Sequence, residues 1–198
     1  KKFTNNWTEE MLEEFLAHDV NYSLVALDND DIDGVVAGAT ISSADLIRSS
    51  IRIVGLEDKN KILSNSFLMI SPDSKQFYTF SDCAVVPEPN SNQLSSIAYQ
   101  ASKTHFSLTN EVPKIAFLSF STKGSAEHYK IKKIQEAISI FKKQNPTIIH
   151  DGEMQFDAAI NALVAKNKKA NKVLNGDANV FIFPDLDSGN ISYKITQY

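Results

Sequence analysis

From residue 114 onward the chain alternates short apolar runs with long helix-patterned stretches, and this rhythm narrows the fold more than any other feature. Residues 114–120, 147–149 and 179–183 read as strands. Between them, 126–143 carries Ile131, Ile134, Ile138 and Phe141 at helical spacing; 154–166 reads as a further helix, and 190–196 begins a last one. Strands separated by helices of this length run parallel and are joined by right-handed crossovers. The expected architecture is therefore α/β, built on a mostly parallel sheet.

Thr8 followed by Glu9 and Glu10 opens a helix with the apolar stripe Met11, Leu12, Phe15 and Leu16. Residues 23–27 read as a short strand and 29–33 as a turn. The small residues of 34–39 suggest a place where backbones pass close together. Ser43 can cap a helix through Asp45, Leu46, Ile47 and Ile51. Strands over 62–70 and 76–82 flank Ser71-Pro72-Asp73-Ser74, a strong turn signal. Helical spacing returns over 92–106 at Leu94, Ile97, Ala98 and Ala101. The polar break at 55–60 divides the chain into 1–57, part of a first domain, and 58–198, a second α/β domain.

Composition excludes several functions. A net charge of −4 opposes nucleic-acid binding, which needs a basic face. No apolar run approaches the ~18 residues of a membrane span. Cys83 is the only cysteine, so no intrachain disulfide can form, and a reducing, cytoplasmic setting is expected. Its apolar neighbours make it a small core residue rather than a nucleophile. His18, His105, His128 and His150 are scattered without ligand spacing, so no metal site is expected. The only arginines are Arg48 and Arg52. Arginine is the better bidentate clamp for phosphate, which singles out Arg48, although Asp45 three residues earlier could simply pair with it.

In a parallel sheet, ligands bind beyond the carboxyl ends of the strands. Three polar segments follow the later strands: Ser121-Thr122-Lys123-Gly124-Ser125, Asp151-Gly152-Glu153, and Pro184 through Asn190. In the first, Thr122, Lys123 and Gly124 could contact a phosphate at a helix start; the alternative is a helix cap by Ser121 or Ser125 with a solvated lysine. Glu153 and Asp157 could do acid–base work, or cap the following helix. No GxGxxG or Walker A spacing occurs.

At these same places the chain resembles the phosphate acetyltransferase and phosphate butyryltransferase family. The matching blocks are Asp33–Ala39, Ser42-Ser43-Ala44-Asp45 through Arg48, Leu118–Ser125, Asp151–Ala159, and Phe183–Asn190 followed by Tyr193-Lys194. The acetyl branch fits best, through the Ser-Thr-Lys-Gly-Ser and Phe-Pro-Asp-Leu blocks. The resemblance implies a three-layer α/β/α, isocitrate/isopropylmalate dehydrogenase-like fold, with a cleft between a discontinuous first domain and a second. It implies interconversion of acetyl-CoA plus phosphate with acetyl phosphate plus CoA, the thiolate attacking the acyl phosphate directly. CoA is then a substrate, no cofactor is needed, and the full-length protein is expected to be a homodimer. Arg48 and Lys194 match the family's phosphate-binding positions, with Ser42, Ser43, Thr122, Lys123, Asn190 and Tyr193 as further pocket residues. Arg48, Lys123 and Lys194 are expected to meet around one anion. The family's Ser-Arg block and catalytic aspartate would lie beyond Tyr198, so the chain by itself is expected to be inactive. The alternatives are a phosphate butyryltransferase and a non-catalytic acetyl-CoA-binding regulatory or oligomerisation module.

Overall fold

The computed structural model describes residues 4–56 and 62–198. The chain forms two compact units, Lys1–Lys61 and Ile62–Tyr198. The expected boundary between 57 and 58 lies outside the described residues.

Among its described residues the first unit holds three helices, α1 (Glu9–Leu16), α2 (Asp19–Asp28) and α3 (Ser43–Ile53). Thr8 caps α1, its side chain accepting from the Met11 amide. The strand expected at 23–27 is instead part of α2. Its five-residue apolar run masked a longer helical spacing, Val20, Leu24 and Leu27, with Asp19 favourably placed at the helix start. Residues 34–39 form no regular element. A Cβ added at Gly34 or Gly38 would meet nothing within 4 Å, so the expected close backbone approach is absent. The cap of α3 is Ser42 rather than Ser43. Its hydroxyl accepts from the Asp45 amide at 3.1 Å and donates to the Asp45 carboxylate at 2.7 Å.

The second unit is a five-stranded sheet in the order β1-β2-β5-β3-β4. Its strands are β1 (Phe67–Ile70), β2 (Phe77–Ser81), β3 (Lys114–Leu118), β4 (Ile149–Met154) and β5 (Val180–Ile182). β1 and β2 form the expected antiparallel hairpin, and all other pairings are parallel. Helices α4 (Ser91–Thr109), α5 (Tyr129–Gln144), α6 (Phe156–Ile160), α7 (Ala162–Asn167) and α8 (Leu186–Gln197) flank the sheet. Asn90 and Gln93 close a capping box on α4. The helix expected over 154–166 breaks at Asn161, whose side chain accepts from the Leu163 and Val164 amides and starts α7 anew.

The period-2 alternation of the strands sorts the core into two layers. Ile115, Phe117, Val180 and Ile182 pack with Leu94 and Ile97 of α4 and Ile134 and Phe141 of α5. On the other face, Ala116, Leu118, Phe181 and Phe183 pack with Ala159 of α6, with Leu174 between α7 and β5, and with Tyr193 of α8. Crossovers through α4 and α5 therefore step outward over one face, and α6–α7 return over the other to insert β5 between β2 and β3. The neighbours β3 and β5 consequently send their following helices to opposite faces, which opens a crevice at their carboxyl ends. Among the described residues, no helix is long and apolar enough to cross a membrane.

Candidate functional site

The loop after β3 is longer than the sequence suggested, because α5 begins only at Tyr129, capped by His128. Within it Lys123 and Gly124 take left-handed backbone angles, φ 51° and 81°. Ser121 and Thr122 are buried. The Asp151-Gly152-Glu153 stretch is not a loop but the interior of β4. Its acids looked like turn residues, yet loop 121–125 folds against this strand and supplies their partners. The buried Glu153 carboxylate accepts from the Gly124 amide at 2.7 Å, Gln135 Nε2 at 3.0 Å and Ser121 Oγ at 3.2 Å. Burial alone would raise the Glu153 pKa, but these donors outweigh it and hold the carboxyl below its ordinary value. Lys123 donates through its amide to the Glu153 carbonyl at 3.0 Å. Its ammonium pairs with Asp151 and reaches the Gly152 carbonyl at 2.9 Å. Thr122 and Gln155 exchange bonds of 3.0 and 3.3 Å. The Gly124 amide proposed for a phosphate is thus already held by the protein's own carboxylate, and Glu153 braces a loop instead of capping α6.

Helix α8 carries the second group. Asp185 caps it through the Ser188 amide at 3.0 Å. Gly189 lies against the backbone just after β2: a Cβ there would sit 2.4 Å from the Asp82 carbonyl oxygen, so only glycine fits. Asn190 donates to the Cys83 carbonyl at 3.0 Å. Tyr193 stacks on Phe67, the ring centroids 4.1 Å apart and the planes nearly parallel. Lys194 is exposed, with its ammonium 5.1 Å from the Tyr193 ring. No carboxylate among the described residues forms an ion pair with it.

The third group stands on α3, in the first unit. Arg48 pairs with Asp45 at 2.5 Å, both side chains being exposed. Hydrogen bonds from Ser42 and then from Arg48 lower the Asp45 pKa. Ser42 and Ser43 open the same helix.

Asn190, Tyr193 and Lys194 are therefore gathered on one helix, and Thr122 and Lys123 are gathered against β4. The structure does not bring Lys123 and Lys194 together: one is fixed to β4, at one edge of the sheet, and the other follows a tyrosine stacked on β1, at the opposite edge. Sequence reasoning missed Gln135 and Gly189. Gly189 had a signal, since a glycine inside a helix implies close packing; Gln135 had none. Cys83 is fully buried, and its thiol is pushed up to about 12, chiefly by burial and then by the nearby Asp82 charge. That removes it as a nucleophile. Among the described residues no three His, Cys, Asp or Glu are grouped to hold a metal ion.

Comparison with known proteins gives a consistent set of relatives. The family model described as phosphate acetyl/butaryl transferase matches residues 2–198. A phosphate acetyltransferase of Clostridium acetobutylicum is 40% identical over 194 residues, covering 96% of this chain and 58% of the relative. That of Escherichia coli is 36% identical over 190 residues, covering 96% of this chain and 26% of its own length. The EutD phosphotransacetylase structure from Staphylococcus aureus superposes with a TM-score of 0.87 at 39% identity, over 98% of this chain and 59% of that one. A branched-chain phosphotransacylase from Enterococcus faecalis, at 20% identity and a TM-score of 0.70, covers 90% of this chain and 63% of that one and shares the fold. The chain thus spans 58% of the first of these relatives.

Proposed function

From the premise that this chain belongs to the phosphate acetyl/butaryl transferase family, we propose that it is part of an enzyme interconverting acetyl-CoA plus phosphate with acetyl phosphate plus CoA. The observation that carries this reading is 36–40% identity to phosphate acetyltransferases over nearly the whole of this chain. The acetyl branch is favoured over other acyl groups because the branched-chain transacylase is only 20% identical. In the direction of acetyl-CoA formation the CoA thiolate attacks the carbonyl carbon of acetyl phosphate; a carbon–sulfur bond forms, the carbon–oxygen bond to the phosphoryl group breaks, and inorganic phosphate leaves. Direct attack asks for no enzyme nucleophile, which agrees with a buried, protonated Cys83.

Arg48 is the proposed phosphate contact of the first unit, with Ser42 and Ser43 at the head of its helix. Its exposed pair with Asp45 can be exchanged for a phosphate at little cost, since such pairs contribute little in water. Lys194 is the proposed contact of the second unit, supported by its exposed and unpaired ammonium, with Tyr193 and Asn190 setting its helix. Thr122 and Lys123 are assigned a bracing role through β4. CoA enters as substrate, no metal or other cofactor is invoked, and a cytoplasmic homodimer is the expected working form. An isocitrate/isopropylmalate dehydrogenase-like fold, with residues 1–57 belonging to a discontinuous first domain, completes the reading.

The test is thioester formation from acetyl phosphate and CoA by the protein at the length of its relatives. Activity is expected there, and Arg48→Ala and Lys194→Ala should each raise the KM for acetyl phosphate about tenfold or more. No acetyl-CoA from acetyl phosphate would defeat the assignment. Unchanged KM in both variants would defeat the residue roles alone.

A further inference from the structure

His105 is wholly buried, and none of the roles assigned above uses it. The other three histidines, His18, His128 and His150, all keep some contact with solvent. The His105 ring lies near the end of α4, against β2, with Nδ1 3.0 Å from Thr79 Oγ1. Its second nitrogen, Nε2, has no hydrogen-bond partner among the described residues and stands 3.7 Å from a Glu111 carboxylate oxygen. Local contacts fix that carboxylate in place. Asn110 ends α4 in the left-handed conformation, φ 59°, and turns the backbone back. The Thr109 hydroxyl then bridges, donating to the His105 carbonyl at 2.7 Å and accepting from the Glu111 amide at 3.1 Å. Beyond Glu111, the Asn179 side chain donates to the Val112 carbonyl at 3.0 Å and accepts from the Lys114 amide at 2.7 Å. The Asn179 carbonyl accepts from the Thr79 amide at 2.8 Å, so the ring sits where α4, β2 and the start of β5 are joined.

This arrangement suits a neutral ring and not a charged one. A neutral imidazole has one N–H, and a proton on Nε2 leaves Nδ1 free to accept from the Thr79 hydroxyl. An imidazolium donates from both nitrogens. Thr79 would have to turn its hydroxyl away, and Nε2 would need an acceptor nearer than 3.7 Å. The surrounding charges give little help. The Glu111 side chain is 43% exposed, so water shares its charge. On β2, Tyr78 packs into the opposite layer, and β5 has no ionisable side chain. On β3, Lys114 pairs with Asp177. On α5, Glu136 takes the Ser91 hydroxyl at the other end of α4, roughly 20 Å away along the helix. On α4 itself, the exposed Lys103 reaches over the Tyr99 ring. Burial therefore outweighs Glu111 and holds the His105 pKa below its ordinary 6.5. The folded state takes up this proton less readily than the unfolded chain. The stability that results is fully present above pH 6.5 and is lost as pH falls from there toward the lower folded value.

We propose that His105, Thr79 and Glu111 form a proton-operated release in the second unit: the neutral ring holds the end of α4 to β2, and its protonation in mild acid frees the α4–β3 connection. The window opens at 6.5, well above the 4.5 below which Glu153 responds.

The 198-residue chain is followed from neutral to mildly acid pH by NMR of the His105 ring, by urea denaturation and by amide exchange corrected for the intrinsic rate. The ring should titrate below 6.5. Relative to His105→Gln, the folded-to-unfolded ratio of the parent should fall by up to about tenfold per pH unit in this window. Exchange at Asn110, Glu111 and Val112 should speed up over the same range in the parent and not in His105→Gln. Glu111→Gln, a change at a partly exposed side chain, should move the ring titration to still lower pH. A ring that titrates at or above 6.5 overturns the proposal, as do parallel stability curves for the parent and His105→Gln. Exchange in the α4–β3 connection that ignores pH overturns the release. Where His105→Gln does not fold, the Glu111→Gln comparison decides: an unmoved ring titration overturns the role given to that carboxylate.

Discussion

The two units of this chain are built from similar fractions of apolar residues but bury them very differently. In the second unit both sheet faces are filled: Phe117, Phe141, Phe181, Ile97 and Ile115 are all essentially inaccessible. In the first, among the described residues, only Leu24 and Ile53 are buried apolar side chains, while Met11 and Ile51 on its helices and Val54 at the end of α3 are 47%, 41% and 38% exposed. Amphipathic helices gain most of their stability from packing their apolar face. The second unit has that packing within itself. The first does not, and the relatives that share its sequence are substantially longer than this chain. The contrast is between a region whose apolar side chains are buried by its own contacts and one whose apolar side chains stay largely exposed.

The sharpest way to break this contrast is to truncate matched apolar side chains. Phe117→Ala should cost about 3–5 kcal/mol by urea denaturation, whereas Met11→Ala should stay within about 0.5 kcal/mol. Equal losses would erase the difference between the units. Next in size is Gly189→Ala, which forces α8 away from the Asp82 carbonyl and should cost about 1–3 kcal/mol in the same measurement. Full stability in that variant would mean that α8 is not tightly seated.

Glu153→Gln should be of similar or smaller effect, about 1–3 kcal/mol, because the shape survives while one carboxylate oxygen loses its role as acceptor. The sign with pH follows from the lowered pKa. The folded state releases the Glu153 proton more readily than the unfolded chain, so its contribution is fully present above the unfolded carboxyl pKa of 4.5 and is lost as pH falls through the lower folded value. The Gln variant should therefore lose less stability than the parent between neutral and acid pH; parallel curves would show that the loop is not braced by this charge. Smallest of all is Asp45→Asn on α3, an exposed partner of Arg48 whose removal should leave the melting temperature unchanged. A clear drop would mean that the first unit depends on its surface charges after all.

How much could be read from the sequence follows the same division. The crossover pattern after residue 114 and the hairpin turn at Ser71–Ser74 were legible because period and turn chemistry are local. Helix α2 was misread because five consecutive small and apolar residues satisfy strand and helix patterns equally. Asp151, Gly152 and Glu153 were misread as a loop for a different reason. Their place inside β4 depends on a loop thirty residues away folding across them, and no local signal reports such a partner. The same dependence explains the candidate site: Arg48 and the Lys123 loop could be picked out by residue type and Lys194 by its match to a family block, but not that Lys123 was already committed to Asp151. The β3/β5 crevice was equally hidden, because the strand order that creates it appears only when β5 inserts between β2 and β3.

Amide hydrogen exchange on the 198-residue chain measures the division between the units most directly. The amides of β3 and β5 should exchange only through global unfolding of the second unit, and those of α1 and α3 through far cheaper local openings. Protection in α3 equal to that in β3 would contradict the division, because helices with two buried apolar side chains would then be as secure as a sheet filled on both faces.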